Sequence, residues 1–300
     1  MTQPPGADRT AATPRGPLDA LTQRLTRHVL SIARHSADDG VVTLATSIAY
    51  TALLSVFPML ILVIALLSIF IAPAAAQETV IDALAPYLPS DAVALVRDTL
   101  QAVVRTRGTA SLVASLVLLW GATSAASTAR HALNRVLKVS RPRSFLGRKL
   151  VEFALVILGG GFLSLSLIAS TVLTVVAAVR PIAEATEAVR GSGAATLLAA
   201  LGPWLFSAAA FLIVYRFLPN ERVSWRSLLV GTAVAMLLFE AAKGIFFWYL
   251  RTLSGYSLVY GPLAGVIVFL VWVYLAAIIL LIGGEVIAEM ERTAPGAARA

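Results

Sequence analysis

The sequence predicts an all-α polytopic membrane protein with six transmembrane helices and both termini in the cytoplasm. Three observations carry this. Asp39 to Phe70 reads DGVVTLATSIAYTALLSVFPMLILVIALLSIF, longer than the roughly 20 apolar residues that cross about 30 Å of hydrocarbon, and it is the first of several such runs. The 300 residues are 58% apolar and only 13% charged, with a mean hydropathy of +0.84, which leaves too little polar surface to cover a water-soluble globule of that size. The basic residues, finally, are unevenly placed, with seventeen of the 24 in segments that six crossings put on one side.

The first 17 residues hold Pro4, Pro5, Pro14 and Pro17 and almost no large apolar side chain, so they are expected to stay disordered. Residues 18–36 are read as a basic cytoplasmic helix. Leu18, Leu21, Leu25, Val29 and Ile32 recur at helical spacing with Arg24, Arg27 and Arg34 among the polar positions. Such a helix either lies on the anionic inner leaflet or packs against neighbouring loops, and the sequence leaves both open. The first apolar run begins too far along and is too long for a signal-peptide core, so it is expected to act as an uncleaved anchor.

A membrane domain over 37–291 follows, with spans at 41–72, 109–129, 150–178, 194–218, 227–250 and 262–287, and 292–300 is a C-terminal tail. Arg9 to Arg34, the seven basic residues from Arg130 to Lys149, the three from Arg216 to Arg226, and Arg292 with Arg299 share one face. That face is cytoplasmic by the positive-inside rule. The outer segment 73–108 carries two helical patterns, Val80, Ile81, Leu84 and Leu88, then Val93, Val96, Leu100 and Val103. Pro86 and Pro89 separate them, and Ser90 and Asp91 stand where the second would be capped. These helices either roof a vestibule or float at the interface.

Several motifs resemble a known family. SIAYTALLSVFP in span one, LWGATSAASTARHALNRVLKV after span two, RFLPNERVSWRSLLVG entering span five and SGYSLVYGPLAGVIVFLVWVYLAAIILLIGGEV in span six are similar to the YihY/BrkB family of bacterial inner-membrane proteins, over about Asp38 to Glu291. The resemblance implies a multi-pass protein of the bacterial inner membrane with six helices and cytoplasmic termini. It further implies a link to serum resistance, envelope integrity and export of lipid-like molecules, and it brings an old label as a transfer-RNA-processing ribonuclease.

The residues argue against that label. RNA cleavage needs a metal held by clustered carboxylates and histidines, or a positioned acid–base pair. The chain has no cysteine and only His28, His35 and His131, without metal-ligand spacing. Asp38 and Asp39 are adjacent, but Asp39 precedes a helix and reads as its N-cap. The basic stretch from Arg130 to Lys149 lacks the interleaved aromatics of a single-strand RNA surface. The expectation is therefore a non-enzyme with no cofactor, no metal and no nucleic-acid partner.

Polar groups inside the membrane supply the candidate sites. Glu240 and Lys243 lie three apart in span five and so share a helical face. Each is too expensive to leave unpaired in lipid, so they form a structural pair or line a polar path, with Lys243 also able to snorkel. Glu285, after Gly283 and Gly284 in span six, lies on the path or reaches interfacial water. Thr43, Ser47, Thr51 and Ser55 form a hydroxyl stripe beside Tyr50, ahead of Pro58; such a stripe marks tight helix packing or a cavity wall. The candidate path is Glu240, Lys243, Tyr50, Ser47 and Glu285. Arg130, Asn134 and Arg135 are candidate contacts for anionic headgroups, or for the cytoplasmic ends of neighbouring helices. Gly159 to Gly161 and Gly261, Pro262 and Gly265 permit close approach or a helix break. Trp204, Trp225, Trp248 and Tyr249 read as interfacial belt residues.

Two function classes remain. One transports or flips an amphiphilic, anionic lipid or lipid precursor; the other braces the envelope and recruits partners through its basic cytoplasmic face. A homo-oligomer is compatible with both. No Walker A sequence is present, so pumping would draw on an ion gradient, another subunit or the lipid's own gradient.

Overall fold

The computed structural model describes residues 31, 34–36, 38–85, 90–105, 111–139, 144, 146–158, 193–252 and 263–293. Those residues form helices and their connections, with no strand among them. The tail at 1–17, nearly all of the helix predicted for 18–36, span three beyond 158 and the end of the chain after 293 lie outside the described residues.

The first apolar run is helix α1, Val41–Leu67. Outer helices α2, Pro73–Leu84, and α3, Ser90–Arg105, follow, then α4, Ser111–Val136. Residues 146–158 form α5, whose first turn Ser144 caps by accepting the Gly147 N–H at 3.3 Å. Helices α6, Gly193–Phe217, α7, Trp225–Thr252, and α8, Leu263–Thr293, complete the described chain. By length and apolarity Val41–Leu67, Trp225–Tyr249 and Leu263–Thr293 can each cross a membrane, and Leu201–Phe217 is a shorter apolar stretch. The protein is an all-α membrane protein.

Helix α8 sits at the middle of the bundle, against α1 on one side and α7 on the other; α4 packs on α1, and α6 on α7. The main core lies toward the basic end. There Val41 and Ala45 meet Leu133 and Val136, Tyr215 and Leu218, Leu228, and Leu281 and Ile287. The buried Tyr215 hydroxyl donates to the Leu280 carbonyl at 2.7 Å and ties α6 to α8. Glycines set the helix separation. A Cβ on Gly231 of α7 would fall 2.8 Å from the Gly283 carbonyl oxygen of α8, and one on Gly284 would fall 3.1 Å from Leu133 of α4. Backbones this close are the usual means by which membrane helices gain dispersion contact where no hydrophobic effect drives them together.

Between α1 and α4 the fit depends on span one's polar residues. Ser47, Thr51 and Ser55 donate to the carbonyls one turn back, at 3.0, 2.9 and 2.7 Å, so their hydroxyls are satisfied inside the helix. Ser55 also bonds Ser124 of α4 at 2.7 Å. Beside it, Gly121 leaves room for the Pro58 ring, which a Cβ would approach to 2.8 Å. A second core joins the outer helices to the far end of α1, with Val80, Ile81 and Leu100 packed on Val63, Ile64 and Leu67. Helix α2 therefore rests on α1, and α3 packs on α2 and touches α8.

One expected local feature differs. Asp39 does not cap α1, because Gly40 takes the cap position with φ 69° and ψ 42° and no side chain closes the first turn. A left-handed residue there turns the chain out of the preceding helical turn, a conformation open to glycine and costly for aspartate. The Asp39 carboxyl is left to point elsewhere.

Candidate functional site

Glu240 and Lys243 do share one face of α7. Lys243 Nζ lies 2.7 Å from Glu240 Oε1, and the same oxygen accepts the Ser207 hydroxyl of α6 at 2.7 Å. Lys243 reaches the Ser207 oxygen at 3.5 Å and stands 5.3 Å from the centre of the Phe239 ring. The Glu240 side chain is 11% exposed and that of Lys243 25%. A carboxylate, an ammonium and a hydroxyl thus satisfy one another across the α6–α7 contact. Ser207 was not legible as their partner, since it lies on another helix and looks like any small packing residue.

This arrangement gives a direct expectation. Lys243→Met strands Glu240 in hydrocarbon and should lower thermal stability, whereas adding Glu240→Gln should recover most of the loss, because the amide keeps Ser207 and carries no charge. A thermal-unfolding cycle in nanodiscs measures this; a double variant no more stable than Lys243→Met would contradict a closed pair.

The other predicted residues are dispersed. Tyr50 is 60% exposed and Ser47 exposed on the outer flank of α1, while Glu285 is wholly buried at the basic end of α8. Asn134 accepts the Asn220 N–H at 2.9 Å and so fastens α4 to the α6–α7 connection. Arg135 is exposed. Of the two contacts the sequence leaves open for Arg130, the structure shows the one to a neighbouring helix: its Nε donates to Glu152 Oε1 at 2.8 Å, with the two side chains only 4% and 0% exposed. Lys149 Nζ takes the other Glu152 oxygen at 2.9 Å and is 43% exposed. Two cations therefore flank one carboxylate, and the group keeps a net positive charge.

Beside this cluster lies a groove of about 580 Å³, lined by Trp120 and Thr123 of α4 and by Leu146, Gly147, Lys149, Leu150 and Phe153 of α5. Its walls are apolar apart from Thr123 and Lys149. Trp120, Leu146 and Leu150 are each at least 70% exposed, so the groove is open and not enclosed. Glu240 and Lys243 are not among its walls. Its volume falls within the roughly 300–1,000 Å³ of small-molecule sites. Among the described residues no three histidines or carboxylates converge as a metal site.

Comparison with known proteins agrees with the motifs. A family model described as Virulence factor BrkB matches residues 32–300. A UPF0761 membrane protein of Azotobacter vinelandii is 33% identical over 258 residues, 86% of this chain and 61% of that protein. Another from Chromohalobacter salexigens is 34% identical over 264 residues, 86% of this chain and 61% of its own. A third, from Alcanivorax borkumensis, is 29% identical over 271 residues, with 90% and 62% covered. The chain spans about three fifths of the length of these curated relatives. No solved structure matches. A membrane-embedded helical bundle matched by one family model over nearly its whole length is, on these grounds, a member of the BrkB family of membrane proteins.

Proposed function

We propose that this protein binds an amphiphilic, anionic lipid or lipid precursor at the α4–α5 groove and moves it between the leaflets of the bacterial inner membrane. The groove is the observation that carries the reading. Its apolar walls suit an acyl chain, its open face admits a lipid from the bilayer, and Lys149 stands at the polar rim. The buried Arg130 holds Glu152 in place while the more exposed Lys149 can exchange its carboxylate for a phosphate. The positive-inside pattern of the basic residues supports an inner-leaflet position for this rim. A bracing role is the second reading, and the closed Glu240, Lys243 and Ser207 contact favours it, since charges satisfied by one another do not offer a path.

Reconstitution into liposomes with a labelled anionic lipid separates the two. Filling the groove with Leu150→Trp should slow leaflet exchange about tenfold, equivalent to roughly 1.4 kcal/mol, and Lys149→Gln should weaken the preference for anionic over zwitterionic lipid. The Glu240→Gln, Lys243→Met double variant should exchange lipid at the parent rate. If only that double variant loses exchange, the route runs past Glu240; equal exchange in protein-containing and empty vesicles leaves bracing as the function.

A further inference from the structure

The connection between α6 and α7 is braced from two sides. Asn134 of α4 accepts the Asn220 N–H at 2.9 Å, and Glu291 of α8 accepts the Ser224 N–H at 3.0 Å. Leu218 and Pro219 are buried, and the Ser224 and Ser227 hydroxyls bond each other at 2.9 Å. A loop fixed at this many points holds its other groups in place. One is the Val223 carbonyl, which accepts a hydrogen bond from Arg216 Nη1 at 3.4 Å. Another is the Trp225 ring, whose centre lies 4.8 Å from Arg216 Cζ. The half-buried guanidinium is thus held by one nitrogen and one face. Its Nε and Nη2 donors have no protein acceptor among the described residues.

Other cations at the basic end meet carboxylates: Arg130 and Lys149 bond Glu152, Arg292 bonds Glu289, and Lys138 stands 3.9 Å from Asp39. Arg216 has no such partner among the described residues, nor have the exposed Arg222 and Arg226, which precede Val223 and follow Trp225. Even with Glu221 and Glu291 counted, the three arginines leave this corner positive. Apolar surface adjoins it. Trp225 is 58% exposed, Leu229 one turn further along the same face of α7 is 56% exposed, and Phe217 of α6 is 54% exposed.

We propose that Arg216, Arg222, Arg226 and Trp225 form a binding site for the headgroup of one anionic phospholipid resident in the inner leaflet, with its acyl chains along Phe217 and Leu229. A guanidinium laid on an indole keeps its planar fork directed at phosphate, and tryptophan is at home where headgroup meets hydrocarbon. A zwitterionic lipid offers the same phosphate but brings an ammonium that the arginines repel, whereas phosphatidylglycerol brings none. None of these residues lines the α4–α5 groove. The lipid here stays bound and fastens the corner, so the inference is independent of lipid movement at the groove.

In nanodiscs the parent should melt about 3 °C higher in phosphatidylglycerol than in phosphatidylcholine. Arg216→Gln should lose about half of that difference or more. Arg216→Lys should lose nearly as much, because an ammonium keeps the charge without the planar fork. Trp225→Leu should do the same by removing the platform, which keeps the test readable if an Arg216 variant fails to fold. Arg34→Gln, which removes an exposed charge ahead of α1, should keep the whole difference, and inorganic phosphate added to phosphatidylcholine nanodiscs should not reproduce it. Full retention in Arg216→Gln and Trp225→Leu would overturn the site. Full retention in Arg216→Lys, or an equal loss in Arg34→Gln, would reduce it to general attraction between a basic face and an anionic leaflet, and a shift produced by free phosphate would remove the lipid from it.

Discussion

Replacing Glu152 with leucine should destabilise the protein by about 3–5 kcal/mol, the usual cost of removing one partner from a buried ion pair. The reason is Arg130. Its guanidinium is almost completely buried and bonds Glu152 at 2.8 Å; among the described residues it also reaches the Ser127 hydroxyl, at 3.5 Å. Without Glu152 that charge has nowhere to go, for an arginine does not lose its proton. Lys149 behaves differently because it is 43% exposed and can turn to water, so Lys149→Gln should cost no more than about 1 kcal/mol. The double variant Arg130→Met, Glu152→Leu removes both buried charges and should recover most of the single variant's loss. Denaturant or thermal unfolding in nanodiscs reads all four proteins. If Glu152→Leu and the double variant are equally unstable, the loss lies in packing and not in a stranded charge.

Sequence alone reaches the fold because the features that fix it are local. An apolar run of membrane length must satisfy its backbone within itself, so Val41–Leu67 could only be a helix. Helical spacing likewise marks Val80, Ile81 and Leu100 as one side of the outer helices, and these are buried against α1. The pairing of Glu240 with Lys243 is legible for the same reason, since three residues along a helix bring two side chains together. What spacing cannot supply is the partner on another helix. Ser207 and Glu152 each complete a charged contact, yet one lies 33 residues from Glu240 and the other 22 from Arg130. Glu152 does carry a weak signal, as a lone carboxylate two residues inside a predicted span with a basic segment just before it. The groove carries none, because a leucine facing lipid and a leucine facing a cavity have the same hydropathy. Asp39 shows the opposite error, in which a correct local preference for capping is overridden by Gly40, whose left-handed backbone sets the turn.

The glycines of α7 provide an internal comparison, in which one substitution on one helix should have opposite effects at two positions. Alanine is the better helix former by roughly 0.5–1 kcal/mol, so Gly→Ala stabilises a helix wherever the new methyl has room. At Gly244 it has room, with no atom within 4 Å of the added Cβ. At Gly231 it does not. The Cβ would meet the Gly283 carbonyl oxygen at 2.8 Å and Ile287 Cδ1 at 2.9 Å, and a backbone carbonyl in the middle of a packed helix cannot rotate aside as a side chain end can. Helices α7 and α8 must separate, and overpacking of this kind costs about 1–3 kcal/mol, more for a larger residue. Separation also disturbs what the close approach supports, because Gly283 next to it admits Tyr215, whose hydroxyl ties α6 to the Leu280 carbonyl. Gly231→Ala should therefore lower the melting temperature, Gly231→Leu should abolish the folded bundle, and Gly244→Ala should leave it unchanged or raise it. Equal effects of alanine at the two sites would show that α7 and α8 do not meet backbone to backbone at Gly231. The basic end of the bundle, with its buried Glu285, would then need a different packing.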